Sequence, residues 1–257
     1  LKTLIDLNAD AGESFGRWKL GDDAALLPQV SSVNVACGWH AGDPATMRRS
    51  VELATSNGVS LGAHPGLPDL TGFGRRSMAL TPVEAADACL YQYGALRGFV
   101  EAASADLAHV KPHGAFYGLT LRDPEVAIAI AESVTAVDPD LMLVLLAGPT
   151  AERVLADGFR VAREAFADLD YDDNGHIIIE PNPEVKDPEQ CAQQAVDVLN
   201  GGVTSVNGKA LDVDADTVCL HGDRPNAPDI ARAIRARFQQ HSVRIAPMRE
   251  VIATRNQ

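Results

Sequence analysis

One pattern recurs along the whole chain: a short apolar run ends in polar residues and glycine, and an Ala-rich amphipathic segment follows. The apolar runs are residues 3–7, 33–36, 59–63, 107–110, 141–146, 159–162, 217–220 and 244–246. The helical candidates are 44–57, 82–102, 124–135, 150–156, 188–199 and 227–240. Two of these carry start signals. Asp43 precedes Pro44, a cap followed by a proline in the first turn. Thr81 precedes Pro82, with Glu84 three residues on, which makes a capping box. Strands alternating with helices of this length imply parallel strands joined by crossovers.

Parallel sheets are either open and doubly wound or closed into barrels. Chemistry-bearing residues follow nearly every apolar run, and the first run has no Gly-rich phosphate loop. Both features favour an α/β fold built as an irregular (β/α) barrel of seven or eight strands, with residues 1–257 as one domain. The length of 257 residues suits it. An open sheet stays as the alternative. Residues 168–187 are the least regular stretch, rich in Asp, Asn and Pro, and are expected to cross the active face or form a surface loop.

Composition excludes several classes of function. The net charge is −13 and no basic stripe is present, which argues against nucleic acid as a partner. No apolar run approaches the roughly 18 residues of a membrane span. Cys37, Cys89, Cys191 and Cys219 are scattered, as in a reduced cytoplasmic protein. The N-terminus has no basic region followed by a long apolar run, so it does not read as a signal peptide.

The motifs come in chain order. Asp6, Asn8 and Asp10 alternate, so on a strand they share its inner face while Leu7 and Ala9 face outward. Such a row is either a satisfied polar network or an acid/base or metal-binding edge. His40 follows the second run and His64 the third. Arg75 and Arg76 end a Gly-rich stretch and can grip an anion, or can be solvated. Lys111 and His113 flank Pro112. The lysine is either a base of reduced proton affinity or a fixed charge for an oxyanion or phosphate. Glu164 and Asp168 follow the sixth run, and His221 and Asp223 the seventh. In a barrel, all these ends meet at one rim. Asp10, His40, His64 and His113 are ligand types suited to a divalent metal, with His40 and His64 as the named candidates.

These residues lie in motifs that resemble the LamB/YcsF family. The motifs are Asp-Leu-Asn-Ala-Asp-Ala-Gly-Glu from Asp6, Val-Asn-Val-Ala-Cys-Gly-Trp-His-Ala-Gly-Asp-Pro from Val33, and Gly-Ala-His-Pro-Gly from Gly62 on to Arg76. His-Val-Lys-Pro-His-Gly-Ala-Phe-Tyr from His109, Arg-Glu-Ala-Phe-Ala-Asp from Arg163 and Val-Cys-Leu-His-Gly-Asp from Val218 complete the set. The resemblance implies a barrel related to polysaccharide deacetylases. It also implies ATP-dependent hydrolysis of the lactam 5-oxoproline to glutamate, in partnership with two further subunits that can supply ATP binding. Carried across, the site is Asp6, Asn8, Asp10, Glu13, His40, His64, Lys111, His113, Glu164 and Asp223. Of these, Asp10, Lys111, His113, Glu164 and Asp223 are expected to be catalytic. Asp6, Asn8 and Glu13, with Arg75 and Arg76, are expected to bind substrate. The chain departs from the family at Ala9, Ala11 and Trp39, which are packing changes. It also departs at Ile177–Pro181, where Glu180 reverses a charge near the mouth. Two rival readings stand beside this one: a stand-alone metal-dependent amidohydrolase or deacetylase, and a non-catalytic lactam-binding assembly protein.

Overall fold

In the computed structural model, which describes residues 2–180 and 183–255, the repeated pattern closes on itself. Strands β1 (Leu4–Ala11), β2 (Ser32–Ala36), β3 (Ser60–His64), β4 (Leu107–Val110), β5 (Met142–Leu146) and β6 (Val161–Phe166) pair in parallel in chain order. Two short hairpins come next, β7 (Asp170–Tyr171) with β8 (Ile177–Ile178) and β9 (Gly202–Thr204) with β10 (Ala210–Asp212). Strand β11 (Thr217–Leu220) then pairs with β6 on one side and β1 on the other, giving a closed barrel of seven parallel strands. The eighth expected run adds no stave: β12 (Arg244–Ile245) pairs only with Leu4 and Ile5 at the start of β1.

The helices are α1 (Asp23–Leu26), α2 (Pro44–Ser56), α3 (Pro82–Ala102), α4 (Gly114–Arg122) and α5 (Pro124–Thr135). They continue with α6 (Pro149–Ala156), α7 (Pro188–Leu199), α8 (Ala227–Gln240) and α9 (Met248–Arg255). Their starts follow the sequence signals. Asp43 accepts from the N–H groups of Ala45 and Thr46, and Thr81 and Glu84 cap each other. No helix among the described residues is long and apolar enough to cross a membrane.

The first strand continues past its apolar run through Ala11, as the alternation of Asp6, Asn8 and Asp10 implies. One expectation needs correction: the sixth strand runs from Val161 to Phe166, four residues beyond its expected end, which puts Glu164 inside the barrel wall. A strand buried on both faces loses the apolar–polar alternation that would mark its length.

Ile5, Leu7, Ala9 and Ala11 pack outward into the main apolar core, while Asp6, Asn8 and Asp10 point inward. At the base, Ala108, Met142, Val144 and Ala162 form a separate apolar cluster closed by Met248 and Ile252 of α9. Arg249 holds this plug by donating to the carbonyl of Leu107, where β4 begins. The barrel is thus dry at its N-terminal end and polar above, and the polar half opens at the C-terminal ends of the strands.

Candidate active site

A cleft of about 520 Å³, including its open mouth, lies at that C-terminal end. Its floor and walls come from β1 (Asp10), β3 (His64), the residues after β4 (Lys111 and His113) and those after β11 (His221 and Asp223). The excursion carrying the β7–β8 hairpin covers it, with Ile177, Ile179 and Glu180 facing the cleft. Of this irregular stretch, Leu169, Ile177, Ile179, Glu180 and Pro183 therefore line the active face.

Asp10 is at the centre. Its Oδ1 accepts from Lys111 Nζ at 3.0 Å and from Asn34 Nδ2 at 2.8 Å. Its Oδ2 faces His64 Nε2 at 3.4 Å and His221 Nε2 at 3.8 Å. Burial works to raise this carboxyl, but His64 and Lys111 outweigh it and hold it well below the usual range. Lys111 donates to Asp10 and to Cys219 Sγ at 2.9 Å, and pairs with Glu164 Oε1 at 3.2 Å. Burial would lower its proton affinity, yet Asp10, Cys219 and Glu164 together raise it well above the ordinary value. This is the setting of a lysine kept charged between two carboxylates.

A second group sits beside Asp10. His40, His64, His113 and Glu13 bring one ligand atom each within 4.8 Å of one another, all buried. His64 Nδ1 lies 2.6 Å from the carbonyl of Lys111, and His113 Nε2 lies 2.7 Å from that of Phe73. A carbonyl only accepts, so both of those nitrogens carry hydrogen. The other nitrogens, His64 Nε2 and His113 Nδ1, are then bare in the neutral rings and face each other at 3.1 Å. Glu13 Oε1 is 3.3 Å from His40 Nε2 and 3.7 Å from His113 Nδ1. Burial, with Asp223 and Asp10 nearby, pushes Glu13 well above its usual range. Burial likewise holds His40 and His113 well below theirs, each further lowered by neighbouring imidazoles. Converging lone pairs of this kind need a proton or a cation between them. Two nitrogens on one tetrahedral zinc lie about 3.3 Å apart, so this buried cluster can hold a metal. Gly66 is what admits His40: a Cβ there would stand 2.3 Å from its Nδ1.

A third unit closes the far wall. His221 Nδ1 pairs with Asp168 Oδ1 at 3.0 Å, its ring stacks on Phe166, and Arg224 Nε reaches Asp168 Oδ2 at 3.3 Å. Burial would lower His221, but Asp168 raises it. Burial would raise Asp168, and His221 brings it down to about 2. Sequence reasoning reaches the strand ends holding these residues but leaves His221, Asp168 and Arg224 out of the site. The signal is present in two strand-end motifs, one ending in Asp168 and the other holding His221.

The remaining candidates divide by depth. Asp6, Asn8 and Glu164 lie beneath the cleft in a satisfied network, not on its surface. Asp6 accepts from the hydroxyls of Ser31, Ser32 and Thr217. Asn8 donates to Glu164 and Thr217, and Tyr117 donates to Glu164 at 2.9 Å. Arg75 is on the wall, donating to Asp223 Oδ2 at 2.8 Å and to the carbonyl of Glu180 at 3.3 Å. Arg76 is not there: it turns outward onto Asp69 with its side chain 66% exposed. Consecutive residues on an irregular loop need not share a face. Glu180 does not leave a bare negative charge at the mouth, because Arg224 and Lys186 both pair with it. Pro181 lies outside the described residues.

The sequence pattern of the LamB/YcsF family matches residues 5–253. The A-type subunit of 5-oxoprolinase from Pyrococcus furiosus is 45% identical over 252 residues, covering 96% of this chain and 99% of its own length. The solved structure of the lactam utilization protein from Thermus thermophilus superposes with a TM-score of 0.86 at 46% identity, covering 96% of this chain and 99% of that one. A T48 deacetylase solved with substrate superposes with a TM-score of 0.50 at 12% identity, covering 98% of this chain and 92% of that one, a likeness of fold alone.

Proposed function

The chain belongs to the LamB/YcsF family, and from that premise we propose that it is the A-type component of an ATP-dependent 5-oxoprolinase, opening 5-oxo-L-proline to L-glutamate with two partner proteins. The observation that carries the reading is the two-sided environment of Asp10. One oxygen is saturated by Lys111 and Asn34, while the other looks into the cleft between His64 and His221. That is the arrangement of a general base kept ionised and aimed.

Amide resonance makes a lactam carbonyl a poor electrophile. Transfer of a phosphoryl group from ATP to the carbonyl oxygen, with ATP bound together with the partner proteins, yields an activated ring carbon. Water then attacks that carbon, the ring C–N bond breaks to leave an acyl phosphate, and a second water cleaves this to the side-chain carboxylate and inorganic phosphate. Asp10 Oδ2 takes the proton from the first water, a contribution of about 10²–10⁴-fold. His221, oriented by Asp168, returns a proton to the leaving nitrogen. Arg75 holds the substrate carboxylate, exchanging it for Asp223. Lys111, itself held by Glu164, keeps Asp10 ionised and in place, and Asp6 and Asn8 support them from below. A divalent ion held by Glu13, His40, His64 and His113 would polarise the carbonyl. The four cysteines are all unpaired, which fits the cytoplasm, where ATP is available.

The test is release of glutamate from 5-oxoproline by the purified chain, with and without ATP and both partners, beside other small lactams. Turnover only in the complete mixture, abolished by Asp10→Asn, is expected. The His/Glu cluster favours a second reading, a stand-alone metal-dependent amidohydrolase. Turnover by the chain alone, lost to a chelator, would establish that instead. If rim substitutions alter affinity and leave turnover unchanged, the chain is a non-catalytic lactam-binding protein.

A further inference from the structure

Across the middle layer of the barrel, polar side chains are joined in one line, and the acceptors at its ends dictate how each member points. Asn8 Nδ2 donates to Glu164 Oε1 at 3.1 Å and to Thr217 Oγ1 at 2.7 Å. Its Oδ1 is thereby turned toward Asn34, which donates from Nδ2 at 2.7 Å. The other hydrogen of that nitrogen goes to Asp10 Oδ1 at 2.8 Å. Both amide hydrogens of Asn34 are then spent, and its Oδ1 can only accept. The donor is His109 Nε2, 2.7 Å away. His109 Nδ1 is buried with no partner, so the ring's single hydrogen belongs on Nε2. Gly62 on the adjacent strand is what lets the imidazole lie there: a Cβ at that position would stand 2.0 Å from Nε2.

We propose that His109 is a positioning residue for the reaction: its donation to Asn34 sets the amide so that Asn34 holds Oδ1 of Asp10 and leaves Oδ2 to the cleft. The inference rests on the reading of Asp10 as the group that acts at the substrate. Without the His109 donor, Asn34 Oδ1 has no donor, and only the two acceptors Asp10 and Asn8 oppose a flipped amide. That flip would set Asn34 Oδ1 against the carboxylate of Asp10 and the carbonyl of Asn8, acceptor against acceptor. Asp10 would then be gripped by Lys111 alone and free to rotate its two oxygens.

The experiment compares His109→Leu, His109→Gln and Asp10→Asn in the complete ATP-dependent mixture, alongside the ¹⁵N-imidazole spectrum of the unaltered chain. His109→Leu is expected to lower kcat about 10–100-fold, the usual effect of removing an outer partner, with KM little changed. His109→Gln, whose amide can still donate to Asn34, is expected to recover most of that loss. The spectrum is expected to show hydrogen on Nε2 and a bare Nδ1, and it decides the matter even if the leucine variant does not fold. Hydrogen on Nδ1, or equal impairment of the leucine and glutamine variants, would overturn the assignment. An inactive Asp10→Asn beside a His109→Leu of ordinary kcat would remove His109's role and leave that of Asp10 standing. A fully active Asp10→Asn would remove both.

Discussion

His64 Nε2 and His113 Nδ1 stand 3.1 Å apart, with the opposite nitrogen of each ring bound to a main-chain carbonyl. Neither ring can rotate its hydrogen into the gap without abandoning a buried carbonyl. Purified, metal-free chain is therefore expected to take up one equivalent of Zn²⁺ or Co²⁺, with a rise in Tm from binding to the folded state only. His64→Gln and His113→Gln should each abolish the uptake. Calorimetric titration with no heat, and an unchanged Tm, would mean that the gap is bridged by a proton.

Lys111 lies between two carboxylates, so its loss is a matter of folding as well as chemistry. Lys111→Met removes the counter-ion of both Asp10 and Glu164 while keeping the volume. Breaking a buried pair from one side costs about 3–5 kcal/mol. Urea unfolding should show a loss of this order. A loss under about 1 kcal/mol, the range of an exposed pair, would mean that water reaches these groups.

Asp6 makes stability depend on pH. Burial raises its carboxyl from 3.8 to about 6, against the pull of three hydroxyl donors. A raised folded value means that the folded chain holds the proton longer than the unfolded chain. The contribution is full below pH 3.8 and is lost as pH climbs through 6, a change of about 3 kcal/mol for a fully buried group. Relative to the parent, Asp6→Asn should accordingly gain stability between about pH 4 and pH 7. Parallel pH profiles for the two proteins would sink this.

Much of this site is legible in the sequence. The alternation of Asp6, Asn8 and Asp10 puts three polar groups on one face, and that face is the interior. His40, His64, Lys111 and His113 stand out because each follows an apolar run, and strand ends converge in a barrel. The pairings across the barrel are not legible. Asp168 meets His221 over 53 residues, and Lys111 meets Cys219 over 108. No local pattern marks such contacts. Helix α4 escapes the sequence signals because it starts at Gly114 behind His113, which provides no side-chain cap. Arg76 is misplaced by sequence reasoning because a run of neighbours in a loop carries no periodicity from which to assign a side.

Arg75 offers a test of substrate choice. If it receives the carboxylate of 5-oxoproline, Arg75→Gln should raise KM for that substrate by about 10–100-fold, the loss of a charge-assisted pair. The neutral lactam 2-pyrrolidinone, which has no carboxylate, should be turned over no worse than before. Equal losses on both lactams would show that Arg75 serves only to tie the covering hairpin at Glu180.

The pairing of β11 with β1 has a consequence for synthesis on the ribosome. Thr217 donates to Asp6 at 2.5 Å and accepts from Asn8 at 2.7 Å, across 211 and 209 residues, so the first strand emerges long before a partner it needs. Until that last stave arrives, the row Asp6, Asn8 and Asp10 has no finished interior to occupy and stays wetted. A nascent chain cut short before Thr217 would hold all four candidate metal ligands without the closed wall around them. Closure of the barrel thus waits on Thr217–Leu220, and a product cut short before them lacks the stave that joins β6 to β1.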